Sequence, residues 1–305
     1  MWNIYFGLKR KSLYERDDKM NSIWLKELPL SNIKKIKAVA GGDVNKAYRV
    51  ITAEKNYFLL VQPNRKKDFY AAEIAGLNAF HKAGITAPVV IDSGEINGDA
   101  YLLLSYLDEG YSGSQFELGQ LIAKLHMHYS PNKKYGFSLP YEGGEISFLN
   151  KWTDSWASLF IDNRLDKLAK AIYDRGYWHK LDLNKYSNVR EVILYELSIH
   201  ESQPSLLHGD LWAGNYMFLK NGRPALFDPA PLYGDREFDI GITQVFGGFS
   251  EEFYESYNIA YPLESGYLRR LAFYRLYFLM IHLNKFGNTY LSSVEREMDI
   301  ILTKE

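Results

Sequence analysis

The chain has 305 residues, a length that buries a large core and is typical of two domains. Charged residues make up 24% of the chain and the formal net charge is −1, which excludes the basic excess expected of a nucleic-acid-binding protein. The absence of cysteine excludes a disulfide framework, a thiolate metal site and a cysteine nucleophile. Met1–Arg10 lacks the apolar core of a secretory signal, and the apolar stretch Leu276–Leu283 is too short to span a bilayer. We therefore expect a soluble, cytoplasmic protein.

The first third of the chain has the composition of a small β domain. Lys9–Lys19 is densely charged, and residues 1–19 are expected to form an N-terminal extension, an oligomerisation element or a partly disordered segment, with the compact fold starting near residue 20. β-branched and aromatic residues then predict three antiparallel strands, followed by a helix that closes at Gly84 and by two more strands. The strands are Lys35–Ala40, Ala47–Thr52, Asn56–Val61, Pro88–Asp92 and Ala100–Leu107, and the helix is Arg65–Ala83. The turn Gly41-Gly42 joins the first two strands, and a turn region over 93–98 joins the last two.

The composition becomes helical after residue 108. Ser114 and Glu117 have the spacing of a capping box, and apolar residues follow them at helical intervals. Further helices are predicted at Thr153–Asp174, Tyr186–His200, Glu251–Tyr257, Gly266–Phe286 and Thr289–Leu302. The fold class is therefore α+β: a small antiparallel β lobe with one helix, residues 20–107, joined through Leu102–Asp108 to a larger, mainly helical lobe, residues 108–305.

One stretch of the second lobe predicts chemistry. The Asn221-Gly222 pair lies between two short apolar runs, Tyr216–Lys220 and Pro224–Phe227, which is the strongest local signal for a hairpin. Such a hairpin returns Asp228 to Asn215 and places both near Asp210. Two carboxylates and an amide oxygen suit a hard cation such as Mg²⁺, and a further carboxylate can take a proton from an attacking hydroxyl. Together these are the parts of a phosphoryl-transfer site.

The same residues carry a resemblance to a known family. Residues 207–215 read LHGDLWAGN and residues 227–239 read FDPAPLYGDREFD. With these two motifs the chain resembles the fructosamine kinase (ketosamine-3-kinase) family from about residue 20 onward. The family has a two-lobe, protein-kinase-like fold, which it shares with aminoglycoside and choline kinases. The resemblance implies an ATP- and Mg²⁺-dependent enzyme that phosphorylates a sugar hydroxyl of a fructosamine or ribulosamine, either a small molecule or a glycated protein.

The resemblance also implies roles for individual residues around the reacting atoms. Asp210 takes the place of the catalytic base, and Asn215 and Asp228 take the places of the Mg²⁺ ligands. Trp212 is expected on the substrate side, where an indole can stack on a sugar or face a cationic amine; a loop anchor is the alternative. His208 is expected to brace the loop by hydrogen bonding, and residues 235, 236 and 239 are expected to brace it from behind.

Nucleotide contacts are implied in the first lobe. Gly41 and Gly42 fit a turn whose N–H groups approach phosphates. Leu104, Ser105 and Tyr106 fall where the family's hinge offers backbone groups to adenine. Glu73 takes the place of the helix glutamate that pairs with a lysine on the third strand.

That lysine is the one departure from the family pattern, because Leu60 occupies its position. Three readings follow. Lys46 reaches the phosphates from the neighbouring strand, since a flexible lysine delivers its charge from more than one anchor. Gln62 offers a weaker neutral contact. Or the protein is a catalytically impaired, kinase-like binding module. An aminoglycoside- or choline-type phosphotransferase is the remaining alternative, which Trp212 disfavours.

Overall fold

A computed structural model describes residues 22–39, 46–142 and 146–303. The predicted extension at residues 1–19 and the predicted phosphate turn Gly41-Gly42 lie outside the described residues. The chain divides into two compact units, one of residues 1–70 and 91–106 and the other of residues 71–90 and 107–305.

The first unit is built on a five-stranded sheet in the order β1-β2-β3-β5-β4, in which β1, β2, β3 and β5 pair antiparallel. Its elements are helix α1 (Ser22–Glu27) and strands β1 (Ile33–Val39), β2 (Lys46–Thr52), β3 (Asn56–Gln62), β4 (Val90–Ile96) and β5 (Asp99–Ser105). Alternate side chains of the central strands, including Val50, Leu59 and Leu103, are fully buried against Trp24 of α1. This apolar cluster fixes the register of the sheet, since a slip by one residue would turn it to the opposite face.

The predicted order of three strands, a helix and two strands is confirmed. The predicted turn region over 93–98 is wrong in extent, because β4 continues to Ile96 and only Asn97-Gly98 turns. Both turn residues have positive φ, +53° and +84°, as a two-residue type I′ hairpin requires. The helix predicted from Arg65 begins as a 3₁₀ turn at Lys67–Tyr70 and becomes α-helical only at Ala71.

The second unit is mainly helical. Its helices are α2 (Ala71–Lys82), α3 (Gln115–His126), α4 (Trp156–Phe160), α5 (Asp166–Asp174), α6 (Lys180–Ile199), α7 (Glu237–Thr243), α8 (Glu251–Ala260), α9 (Tyr267–Phe286) and α10 (Leu291–Leu302), with a 3₁₀ turn at Asn288–Tyr290. The hydroxyl of Ser114 accepts from the Glu117 N–H at 3.3 Å, so the predicted cap begins α3. None of the helices in the described part of the chain is long and apolar enough to cross a membrane.

Two features of these helices differ from the prediction. The single helix predicted over 153–174 starts at Trp156 and is interrupted by a π-helical turn at Ile161–Leu165. Helix α7 was not predicted at all. Its sequence, Glu237–Thr243, is entirely buried, so it lacks the polar face that periodicity detects.

Three short two-stranded pairings complete the second unit: β6 (Tyr141–Glu142) with β7 (Ser147–Phe148), β8 (Ser205–Leu207) with β11 (Leu232–Gly234), and β9 (Tyr216–Phe218) with β10 (Pro224–Leu226). The main core of this unit lies among α4 to α10 and is rich in aromatic rings, of which Trp156 and Phe160 are stacked 5.7 Å apart. Strands β8 and β11 border that core through Leu207 and Leu232. The predicted catalytic loop therefore begins directly after residue 207, where β8 is packed against this core.

Candidate active site

The predicted hairpin forms and sets the geometry of the site. Tyr216 pairs with Leu226, and the Phe227 N–H donates to the Asn215 carbonyl at 3.1 Å. The Gly222 N–H donates to the Leu219 carbonyl at 2.7 Å, and Gly222 has φ +80°. This is a type I turn followed by a left-handed glycine, the usual three-residue hairpin loop. Its effect is to return residue 228 beside residue 215.

Asn215 and Asp210 are in direct contact. The Asn215 amide nitrogen donates to the Asp210 carbonyl at 2.8 Å and to its carboxylate Oδ2 at 3.0 Å. Asn215 is 4% exposed, so this orientation is held in a buried setting. Because the nitrogen points at Asp210, the amide oxygen is the atom that remains to ligate a cation.

Asp228 occupies an unusual backbone conformation, with φ +55°. A non-glycine residue in the left-handed region costs free energy, and such outliers concentrate at functional sites. The segment after it packs tightly on α2: a Cβ added to Gly76 would lie 2.8 Å from a side-chain atom of Pro229. Helix α2 therefore brings Glu73, one turn before Gly76, to the same loop.

Three carboxyl groups, of which Asp228 is exposed and Asp210 and Glu73 are half-buried, meet at this place and repel one another. Burial and the nearby Asp228 raise the pKa of Asp210 to about 7, against the opposing hydrogen bond from Asn215. Burial likewise raises the pKa of Asp228. Burial and the Asp228 carboxylate raise the pKa of Glu73 well above its ordinary value. A concentration of negative charge of this kind is the electrostatic setting that a divalent cation would relieve.

Asp239, one of the three residues predicted to brace the loop before Asp210, does so; Asp235 and Arg236 form hydrogen bonds elsewhere, Asp235 to Tyr274 and Arg236 to Tyr257. The Asp239 carboxylate accepts the backbone N–H groups of His208 at 2.7 Å and of Gly209 at 2.9 Å. His208 is fully buried; its Nε2 contacts the Phe227 carbonyl at 3.0 Å, and its Nδ1 accepts the Asp210 N–H at 3.3 Å. His208 thus joins the two halves of the site as a hydrogen-bonding brace.

Gly209 is fixed by a close backbone approach. It has φ +82°, and an added Cβ would lie 1.8 Å from the Ala230 carbonyl oxygen. Only glycine fits between the two loops. The glycine of the HGD motif is thereby explained by the packing of the Asp210 loop on the Asp228 loop.

Trp212 lies at the surface of the catalytic loop. It is 39% exposed, and its indole covers Gly214, where an added Cβ would come within 2.3 Å of the ring. Part of the ring therefore anchors the loop and part is open. Its assignment to the substrate remains a prediction.

The nucleotide-binding residues predicted in the first unit are dispersed along its sheet. Lys46 begins β2, is exposed, and pairs with Val61. Leu60, in the place of the expected lysine, pairs with Ala47 and Leu102 in the middle of the sheet. The side-chain oxygen of Gln62 is buried without a hydrogen-bond partner among the described residues.

The predicted adenine segment lies at the end of β5. Leu104 pairs with Phe58 and Ser105 pairs with Tyr57, so the strand continues up to this point. Tyr106 follows the strand, and the Arg49 guanidinium carbon lies 4.5 Å from the centre of its ring. A role of these three residues in adenine binding remains a prediction.

The sequence did not predict a group of side chains that interact electrostatically around Asp210. Burial raises the pKa of the Tyr141 hydroxyl, and the Asp210 and Asp228 carboxylates raise it further. Burial also raises the pKa of Tyr277, with a contribution from Asp210. The Arg164 guanidinium, 2% exposed, opposes both shifts. Dozens of residues separate these side chains from Asp210 along the chain, and nothing in their local pattern marks them.

Comparison with known proteins decides the family. The fructosamine kinase family model matches residues 18–304 of this chain. The chain belongs to the fructosamine kinase family. This agrees with the resemblance carried by the two motifs around Asp210 and Asp228.

Individual relatives agree with this membership. A protein of Staphylococcus aureus named as a probable ketoamine kinase is 63% identical over 93% of this chain and 98% of its own length. The protein-ribulosamine 3-kinase of Arabidopsis thaliana chloroplasts is 32% identical over 93% of this chain and 87% of its own length. Among solved structures, a Haemophilus somnus protein assigned as a fructosamine-3-kinase has a TM-score of 0.79 at 29% identity, covering 89% of this chain and 92% of its own.

More distant structures confirm the fold class. An aminoglycoside phosphotransferase, APH(4)-Ia, has a TM-score of 0.66 at 11% identity and covers 93% of this chain and 99% of its own. At that identity the likeness shows the fold alone. The predicted protein-kinase-like α+β fold is confirmed.

Proposed function

We propose that this protein transfers the terminal phosphoryl group of ATP to a sugar hydroxyl of a ketosamine, with Asp210 as the catalytic base and Mg²⁺ held by Asn215 and Asp228. Membership of the fructosamine kinase family makes the chain a sugar-amine kinase. The observation that supports the residue assignment is that Asn215 contacts Asp210 directly and that the Asp228 carboxylate lies close enough to raise the pKa of Asp210.

Asp210 has the geometry of a base. Its Oδ2 is held by the Asn215 amide, which leaves the other carboxylate oxygen to accept a proton from the substrate hydroxyl. The hydroxyl oxygen then attacks phosphorus as the bond to the leaving ADP oxygen breaks, and the proton remains on Asp210. The braces from Asp239 and His208 keep the base in place during this exchange.

The donor set fits Mg²⁺, which prefers few protein ligands, all of them oxygens. The Asn215 amide oxygen and the Asp228 carboxylate would hold it, and when bound it would neutralise the phosphate charge that develops during transfer.

The phosphate contact usually supplied by a strand lysine remains open to three readings. Lys46 is the first candidate, because it is an exposed cation at the start of the strand that pairs with β3. Gln62 is the second, through its amide nitrogen. An impaired enzyme is the third. We expect Lys46→Ala to raise the KM for ATP or to lower kcat markedly, with an unchanged melting temperature; unchanged kinetics would remove Lys46, and Gln62→Ala then tests the second reading.

The relatives and the position of Trp212 support a sugar-amine as the substrate. The relatives named for ketoamine and ribulosamine kinases support a sugar-amine substrate, free or attached to a protein. The half-open Trp212 indole suits a sugar face or a protonated amine beside the base. A cytoplasmic location fits the need for ATP and the absence of cysteine.

The deciding experiment is an ATP-consumption assay with fructosyl-lysine, ribulosyl-lysine and an aminoglycoside as alternative acceptors. We expect turnover that requires a ketosamine and Mg²⁺. Asp210→Asn should lower kcat by roughly 10²–10⁴-fold while nucleotide binding persists, since a positioned base contributes that much. Asp162→Asn, on the exposed side of the π-helical turn, is the matched control. Binding of Mg·ATP without turnover of any acceptor would contradict the proposal and favour a binding module.

A further inference from the structure

A small ladder of chain segments extends from the strand that carries the base. Strand β8 ends three residues before Asp210, and its Leu206 pairs with Tyr233 of β11. On the other edge of β11, the Tyr233 N–H donates to the Gly136 carbonyl at 2.8 Å and its carbonyl accepts the Gly136 N–H at 2.9 Å. The neighbouring Tyr135 makes the same reciprocal pair with Thr153, both bonds at 2.9 Å. Four segments therefore lie side by side.

One face of this ladder carries aromatic rings. In β11, Leu232 and Gly234 are buried, so the intervening Tyr233 points to the opposite, partly open face. Its ring lies 6.3 Å from that of Phe137 and 6.0 Å from that of Trp152, with an interplanar angle of 31° to Trp152. We call Phe137, Trp152 and Tyr233 the aromatic platform. Each ring comes from a different segment of the ladder.

The platform is partly open: Phe137 and Tyr233 are half-buried and Trp152 is exposed. Trp152 is 38% exposed, whereas Trp156, four residues later, is 4% exposed and Trp178 is 1% exposed. A single exposed tryptophan needs no explanation, but three rings gathered from separate segments form a surface that binds planar, aliphatic or cationic groups.

Chain connectivity places the platform close to the reacting groups. Tyr233 of the platform pairs with Leu206, which is followed four residues later by Asp210. Four residues span at most about 14 Å. Asp210 therefore lies within about 14 Å of the strand pair that carries Tyr233, a distance comparable to the length of a sugar joined to a lysine side chain.

We propose that the aromatic platform binds the amine-bearing, non-sugar part of the ketosamine while the sugar hydroxyl lies at Asp210. The inference rests on the proposed function. Beyond its secondary amine, a ketosamine linked through the lysine side chain continues as a chain of methylenes that ends at a protonated α-amine. Tryptophan and tyrosine faces pack against the methylenes and attract the terminal cation. The platform would thus set which amine adducts are good substrates.

Two acceptors test this: fructosyl-lysine, linked through its side-chain amine, and 1-methylamino-1-deoxyfructose, which has the same sugar and amine but no chain. For Trp152→Ala we expect the KM for the lysine adduct to rise roughly tenfold and the KM for the methylamine adduct to change by less than about twofold. Trp152→Phe should recover most of the affinity. Tyr195→Ala is the control, because Tyr195 is an aromatic residue of α6 with 64% exposure.

Each outcome is decisive. Equal changes of KM for both adducts in Trp152→Ala, or no change for either, would overturn the platform while leaving the kinase function in place. Failure of the unaltered protein to phosphorylate either adduct would overturn the proposed function and with it this inference. If Trp152→Ala melts at a markedly lower temperature, the Trp152→Phe variant is used in its place. In that variant we expect the KM to rise about threefold for the lysine adduct and to stay unchanged for the methylamine adduct.

Discussion

The brace behind the catalytic loop should contribute both to stability and to turnover. Asp239 is fully buried and accepts hydrogen bonds from the His208 N–H at 2.7 Å, the Gly209 N–H at 2.9 Å and the His126 ring at 3.1 Å. In Asp239→Ala all three donors lose their acceptor in a place that water does not reach. The variant therefore tests how firmly the base is held.

The expected magnitude follows from the donors left behind. A buried donor without a partner costs about 1–3 kcal/mol, so three of them predict a loss of about 3–9 kcal/mol in the free energy of unfolding. A protein of ordinary stability has about 5–15 kcal/mol in total. In Asp239→Asn one acceptor oxygen remains, and we expect about half the loss. Displacement of Asp210 by about 1 Å would lower kcat by roughly 100-fold.

Urea denaturation followed by circular dichroism, together with kcat for fructosyl-lysine, measures both effects. Asp154→Asn serves as the control, because the Asp154 side chain is 81% exposed and forms one surface ion pair with Lys134 at 3.3 Å. We expect that control to stay within about 0.5 kcal/mol of the unaltered protein. If Asp239→Ala lost less than about 1 kcal/mol and kept its kcat, the carboxylate would not be the brace that the geometry indicates.

Three further predictions concern the second unit. Gly119→Ala should lower the free energy of unfolding, measured by urea titration, by about 2 kcal/mol or more. The reason is that the new Cβ would lie 2.0 Å from the Ser256 hydroxyl and 2.4 Å from the Phe253 carbonyl. A variant of unchanged stability would show that α3 and α8 can separate at no cost. Asp228→Asn should abolish the rise in melting temperature that Mg·ATP causes. It should not lower the melting temperature of the free protein, since burial disfavours the charge that the substitution removes. If Mg·ATP still raised the melting temperature of the variant, Asp228 would be excluded as a ligand. Burial lowers the pKa of His282, so the unfolded chain binds a proton more readily near pH 6.5 and stability is lost as the pH falls below that value. His282→Phe should accordingly show a smaller fall in melting temperature between pH 8 and 5.5 than the unaltered protein, and an equal fall would remove His282 from the acid response.

Much of the catalytic centre is encoded locally and could be predicted from the sequence. Asn221-Gly222 makes a turn because glycine accepts positive φ, and the turn alone returns Asp228 to Asn215. Ser114 caps α3 through a bond that spans three residues. In strands β2 and β3, β-branched and aromatic residues mark the strands directly in the sequence. In each case the interacting groups lie within a few residues, so residue type and spacing suffice.

The surroundings of that centre depend on contacts between distant parts of the chain. Strands β8 and β11 are three residues long and form because distant segments of the chain lie beside them. Helix α7 is buried on all sides and shows no helical periodicity. Tyr141 and Tyr277 lie within electrostatic range of Asp210, although their neighbours in sequence give no sign of it.

The sequence by itself therefore determined the hairpin, the oxygen-bearing side chains that it brings together and the family to which they belong. Only the tertiary structure decided that three carboxyl groups meet at one place, and that three aromatic rings gather on one face of the ladder. The physical reason is range: turn and cap chemistry act over three to five residues, whereas burial and electrostatic repulsion depend on which distant segments pack together.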